Sequence, residues 1–104
     1  MSEWKIEQFK QILELDPDDD VARFGLGNAY LKADQYEEAA QEFETVIRLK
    51  PDYTAAYRGL GKALEKAGRI GEAKAAYHKG IEVGQRTGDL QTKKEMEIFL
   101  KRLE

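Results

Sequence analysis

One interval, 34 residues, organises this chain of 104 residues. Aromatic residues recur at this spacing as Phe9, Phe43 and Tyr77, and the segment Gly-Leu-Gly occurs at 25–27 and again at 59–61. A fixed period of this length is the signature of one supersecondary unit stacked on copies of itself. We therefore predict a repeat protein, which presents a surface for contact rather than a reaction centre.

The composition is typical of a folded, highly charged helical domain. Hydrophobic residues make up 41% and charged residues 36% of the chain, which argues against disorder. The net charge of -3 argues against nucleic acid as a partner, because phosphate binding needs a concentrated basic face. Because cysteine is absent, the chain forms no disulfide and no thiolate metal site. No signal peptide and no apolar run of roughly 20 residues is found, so we predict a cytoplasmic protein that does not associate with membranes.

Apolar spacing and helix-breaking residues predict six helices. They span about residues 2–16, 20–33, 36–49, 55–67, 70–83 and 90–103. We expect Ser2 to cap the first helix, Pro17 to end it, and the aspartates 18–20 to cap the second. The segment Gly84–Asp89 is predicted to be a loop, although Gln85 stands where the period would place a proline. The chain is therefore expected to contain one lone helix, two helix pairs and one closing helix.

These residues resemble the tetratricopeptide repeat (TPR) family, whose pattern runs leucine-glycine, aromatic, alanine, aromatic, alanine, proline. The first full unit matches through Leu26, Gly27, Tyr30, Ala39, Phe43 and Pro51. The second matches through Tyr57, Leu60, Gly61, Ala73 and Tyr77. The chain departs from the pattern where Arg23 replaces an aromatic residue, Lys5 a packing alanine, and Gln85 a proline.

The resemblance implies a single all-α domain over residues 1–104, a right-handed α-solenoid of antiparallel helix-turn-helix repeats. Its parts are expected to be a half-repeat helix at 2–16, repeats at 20–53 and 54–87, and a closing helix at 89–104. In this family the first helices of the pairs line a concave groove that receives a peptide. The resemblance thus implies a non-enzymatic protein-interaction module, an adaptor or scaffold.

The groove-facing candidates follow from the same resemblance. In the first unit they are Val21, Phe24, Asn28, Leu31 and Lys32. In the second they are Arg58, Lys62, Glu65 and Lys66, with Ala55 at the rim. The groove should be apolar at one end and positive at the other, which suits a protein or peptide with an acidic side chain or a terminal carboxylate. Phe24 stands where family members that clamp a terminal carboxylate have a lysine. The alternative to peptide binding at the apolar end is that the closing helix or a second copy of the chain covers Phe24 and Leu31.

Catalysis, metals and cofactors find no support in the residues. Both Gly-Leu-Gly copies lie inside predicted helices, whereas a dinucleotide-binding segment follows a strand. His78 is the one histidine, and a lone histidine makes neither a metal site nor a catalytic set. The rival function is a self-assembling structural unit that stacks through uncapped solenoid ends. It would be a homo-oligomer. Because the first helix has no upstream partner, we expect Trp4, Ile6 and neighbouring apolar positions to be partly open.

Overall fold

The computed structural model describes the backbone of residues 2–104 and the side chains of residues 3–104. Within this range the secondary structure consists of six helices, with no strand. They are α1 (Ser2–Leu15), α2 (Asp20–Lys32), α3 (Tyr36–Leu49), α4 (Thr54–Lys66), α5 (Ile70–Thr87) and α6 (Leu90–Leu103). Each helix packs on the next in chain order, and α4 also contacts α2 and α6. The predicted cap by the side chain of Ser2 lies outside the described residues.

The repeated glycines set the distance between successive helices. Phe43 of α3 is fully buried between α2 and α4, against the backbone of Gly27 on one side and Gly59 on the other. A Cβ atom added to Gly27 would lie 2.8 Å from the Phe43 ring, and one added to Gly59 would lie 2.6 Å from it. Glycine in a helix costs about 1 kcal/mol relative to alanine, and here this close approach offsets that cost.

The helix ends follow the local sequence. The side chain of Asp19 accepts a hydrogen bond of 3.0 Å from the backbone N–H of Ala22, which confirms the predicted aspartate cap of α2. The turn between α2 and α3 contains Asp34 at φ 60°, and the turn between α4 and α5 contains Gly68 at φ 81°. Glycine adopts this left-handed conformation without steric cost.

The predicted loop at Gly84–Asp89 is wrong, because α5 continues to Thr87. Gln85 occupies the place of a repeat-ending proline, and its backbone N–H allows the helix to continue. Gly88, at φ 84°, ends the helix instead. As a result α6 begins 36 residues after the start of α4, whereas α4 begins 34 residues after the start of α2.

Helix α1 has one buried and one open face. Ile6 and Leu13 are buried in the core that α1 shares with α2 and α3, so the prediction that Ile6 is open is wrong. Their spacing of seven residues places both on one stripe of the helix, and that stripe faces α2. Trp4, Ile12 and Leu15 are exposed. None of the described helices has the length and apolarity that a membrane-crossing segment requires.

Candidate functional site

Helices α2, α4 and α6 together form a cleft of about 210 Å³, which we call the groove. Its lining residues are Phe24, Asn28, Leu31, Ala55, Arg58, Gly59, Lys62, Glu95 and Phe99. The structure thus brings together six of the predicted residues, namely Phe24, Asn28, Leu31, Arg58 and Lys62 of the groove and Ala55 of its rim. It also adds two residues of α6, which forms a third wall beside α2 and α4.

The apolar end of the groove is a fixed aromatic wall. The Phe24 ring stacks on Tyr53 with 5.0 Å between ring centroids, and it meets the Phe43 ring edge-on at 5.6 Å. Leu31 packs partly against the same core. The rings that cover Phe24 therefore come from α3 and from the residue before α4, rather than from the closing helix. What remains open of Phe24 and Leu31 faces the groove.

The middle of the groove contains an ion pair within the chain. The guanidinium Nη1 of Arg58 on α4 donates a hydrogen bond to the carboxylate Oε1 of Glu95 on α6. The two side chains are 31% and 38% exposed, so the pair lies at the surface of the cleft. The guanidinium predicted to receive a partner's carboxylate already has an acidic neighbour.

Two cations flank one aromatic ring at the positive end. The Lys62 ammonium lies 4.9 Å and the Arg102 guanidinium carbon 5.0 Å from the centroid of the Phe99 ring. These are cation–π distances. A second cleft, of about 260 Å³, opens here and is lined by Lys62, Glu65, Lys66, Tyr77, Phe99 and Arg102.

Tyr77 forms the floor of this second cleft. Its hydroxyl donates a hydrogen bond of 3.0 Å to Glu65, and its ring lies 5.8 Å from that of Phe99. Burial, and then the neighbouring Glu65 carboxylate, raise the pKa of Tyr77 above its ordinary value. The protonated phenol holds Glu65 through this hydrogen bond, and the Glu65 carboxylate lines the same cleft as Lys62, Lys66 and Arg102.

Three cations of this region keep their charge available. Among the ion pairs of residues 3–104, none includes Lys62, Lys66 or Arg102. We call these three residues the cationic rim. An anionic group of a partner can therefore approach these cations without breaking an ion pair, and Glu65 is the acidic residue that lines the same cleft.

The remaining predicted residues lie elsewhere. Lys66 lines the second cleft, whereas Val21 and Lys32 are exposed and line neither of the two clefts. Sequence reasoning missed Glu95 and Arg102, because it treated α6 as a closing helix and not as a wall. The available signal was that α6 follows a helix pair, where the first helix of a further pair would lie. In residues 3–104 no group of three or more histidine, aspartate or glutamate residues is arranged to hold a metal ion.

Two family models match the chain. One, described as TPR repeat, covers residues 27–68, and the other, described as Tetratricopeptide repeat, covers residues 9–41. A curated TPR repeat-containing protein of Pseudomonas aeruginosa is 36% identical over 99 residues, which are 95% of this chain and 94% of the relative. The fold and these matches define an all-α solenoid of stacked helix pairs. The chain belongs to the tetratricopeptide repeat family.

Solved structures share this fold. The solution structure of a protein from Bordetella parapertussis is 32% identical, with a TM-score of 0.83 over 94% of this chain and 85% of that one. The first TPR domain of Spaghetti (RPAP3), bound to the HSP90 peptide SRMEEVD, has a TM-score of 0.80 over 94% of this chain and 75% of that one. At 21% identity the second similarity shows the fold alone.

Proposed function

We propose that this protein is a non-catalytic interaction module that binds an acidic peptide segment of a partner protein in the groove. The observation that carries the proposal is the side-by-side arrangement of an open apolar wall and the cationic rim. A protein of the same fold, the first TPR domain of Spaghetti (RPAP3), binds a peptide with two glutamates and an aspartate. We expect the module to work as a cytoplasmic adaptor.

Each wall of the groove has a separate task in this proposal. Phe24 and Leu31 contact an apolar side chain of the peptide. The Lys62 ammonium and its neighbours on the cationic rim donate charge-assisted hydrogen bonds to a carboxylate. Asn28, whose amide both donates and accepts, pairs with the peptide backbone between them. Apolar anchoring with a few oriented polar contacts is the usual way in which such surfaces bind a segment.

Fluorescence polarisation with labelled SRMEEVD, which we call the acidic probe, tests the proposal. The comparison peptide has the same length, with glutamine or asparagine in place of each acid and an amidated C-terminus. We expect the protein to bind the acidic probe and not the comparison peptide. Lys62→Glu should weaken the affinity for the acidic probe about tenfold or more. Lys10→Glu is the matched control, since Lys10 is an exposed lysine of α1. Equal binding of both peptides, or equal losses in both variants, would remove the groove from consideration.

The open face of α1 favours a second function, self-assembly. Ile12 lies one period before Val46, yet Ile12 is 44% exposed while Val46 is completely buried. Leu15 lies two periods before Val83, and the two are 91% and 1% exposed. Helices α3 and α5 each pack against a helix that precedes them, α2 and α4, whereas α1 is the first helix of the described residues. We propose that a second copy of the chain covers Ile12 and Leu15.

Charge complementarity supports an antiparallel pairing of two α1 helices. Lys5 and Asp16 are exposed near opposite ends of α1, so a two-fold axis brings each against its opposite in the other copy. One helix face offers less than the roughly 800 Å² per partner of a standard interface, and the dimer should be weak. Sedimentation velocity across a concentration series should show dimers that Leu15→Glu abolishes. A monomer at millimolar concentration would contradict this function.

A further inference from the structure

Helix α6 places a carboxylate where the other two groove helices have no side chain. The sixth residue of α2 is Gly25, and the sixth residue of α4 is Gly59. The sixth residue of α6 is Glu95, which reaches Arg58 across the groove. Because α6 has glutamate where the other two helices have glycine, the Arg58 guanidinium in the middle of the groove has an acidic partner within the chain.

The pair occupies Arg58 without sequestering it. Both side chains are about one-third exposed, and water and a competing ion can reach them. Surface ion pairs of this kind are weak, typically a factor of about two to five in an equilibrium constant. A carboxylate brought to the groove by a peptide can thus compete with Glu95, whereas at the cationic rim it has no ion pair to break among the residues described.

We propose that Glu95 is a built-in competitor that weakens acid recognition by Arg58 and favours binding of a partner's carboxylate at the cationic rim. The inference rests on the proposed function of the groove. A peptide with one acidic group binds at the rim and leaves the Arg58–Glu95 pair intact. A peptide with a second acidic group gains little from it, because engaging Arg58 first requires release of Glu95. Glu95 is in this sense a specificity-determining residue.

The test compares two substitutions on the same helix. Glu95→Gln keeps the size of the side chain and removes its charge, which frees Arg58. Glu97→Gln is the matched control, since it changes net charge equally, and Glu97 pairs with Lys93 and lines a different cleft. We expect Glu95→Gln to bind the acidic probe about two- to fivefold more tightly than Glu97→Gln does. The gain should disappear when Arg58→Gln is added to Glu95→Gln.

The outcomes separate this inference from the proposed function. Equal affinities of the Glu95 and Glu97 variants, together with a loss in Lys62→Glu, would overturn the competitor role and leave the groove in place. A gain in Glu95→Gln that persists without Arg58 would also overturn it, since the effect would then not pass through that guanidinium. Binding by none of the variants would overturn both proposals. Circular dichroism of each variant confirms that it is folded.

Discussion

A single methyl group added at Gly61 should test the packing rule on which this fold depends. The new Cβ of Gly61→Ala would lie 2.5 Å from Cδ1 of Tyr77, about 1 Å inside the usual carbon–carbon separation. The Tyr77 ring has little room to move, because it is completely buried and its hydroxyl is bonded to Glu65. Overpacking of this kind costs about 1–3 kcal/mol.

The helical propensity of alanine favours the substitution, and this gain must be subtracted from the cost of overpacking. Alanine is about 1 kcal/mol better than glycine inside a helix. With a rigid ring at the site we expect the upper end of the overpacking range, so Gly61→Ala should lower the free energy of unfolding by about 2 kcal/mol. For a domain of this size, that loss corresponds to a melting temperature lower by roughly 10 °C.

Gly71 provides the matched control. It lies in the first turn of α5, and a Cβ atom added there would meet nothing within 4 Å. Gly71→Ala should therefore raise the free energy of unfolding, by at most about 1 kcal/mol. Urea titrations followed by circular dichroism measure both variants. If Gly61→Ala is as stable as the unsubstituted protein, or if the two variants shift in the same direction, glycine does not set the helix spacing.

Three further predictions concern helix ends and pH. Asp19→Ala removes the cap on the N–H of Ala22 and should lower the free energy of unfolding by about 1 kcal/mol in urea titrations. Burial raises the pKa of Tyr77, so the folded state retains a proton that the unfolded chain loses above about pH 10. Stability should therefore fall as pH rises above 10, and the fall should be shallower in Tyr77→Phe. Gln85→Pro should break the last turn of α5 at a cost of about 3 kcal/mol or more, and an unchanged midpoint would contradict the continuous helix.

The fold could be predicted from the sequence because each constraint occurs twice. A glycine that touches an aromatic ring is a weak signal when it occurs once. The pairs Gly27 with Phe43 and Gly61 with Tyr77 repeat it at one interval. Turn positions repeat in the same way, so the first five helix starts followed from the period. The end of α5 did not follow from the period. The period predicts a break there, but Gln85 has the backbone N–H that proline lacks, and so the helix continues.

The groove was predictable only in the part that follows the period. Phe24, Asn28, Leu31, Arg58 and Lys62 line one cleft, since the repeat fixes the helical register of α2 and α4, whereas Val21 and Lys32 line neither cleft. No residue of α6 was predicted to face the groove, because α6 was treated as a closing helix. The longer α5 places the start of α6 two residues later than the 34-residue period would. The ion pair of Arg58 with Glu95 could not be predicted from the sequence either, because an ion pair depends on the directions of the two side chains and not on spacing alone.

One change on α6 shapes the site. In the repeats, the sixth residue of the groove helix is glycine, and the aromatic ring of the preceding helix packs on it, as Phe43 does on Gly59. In α6 the sixth residue is Glu95, and the preceding aromatic, Tyr77, has Phe99 beside it instead. The larger side chains that replace the small ones therefore project toward α4. The carboxylate and the aromatic ring that α6 adds to the groove are thus consequences of the same departure from the repeat.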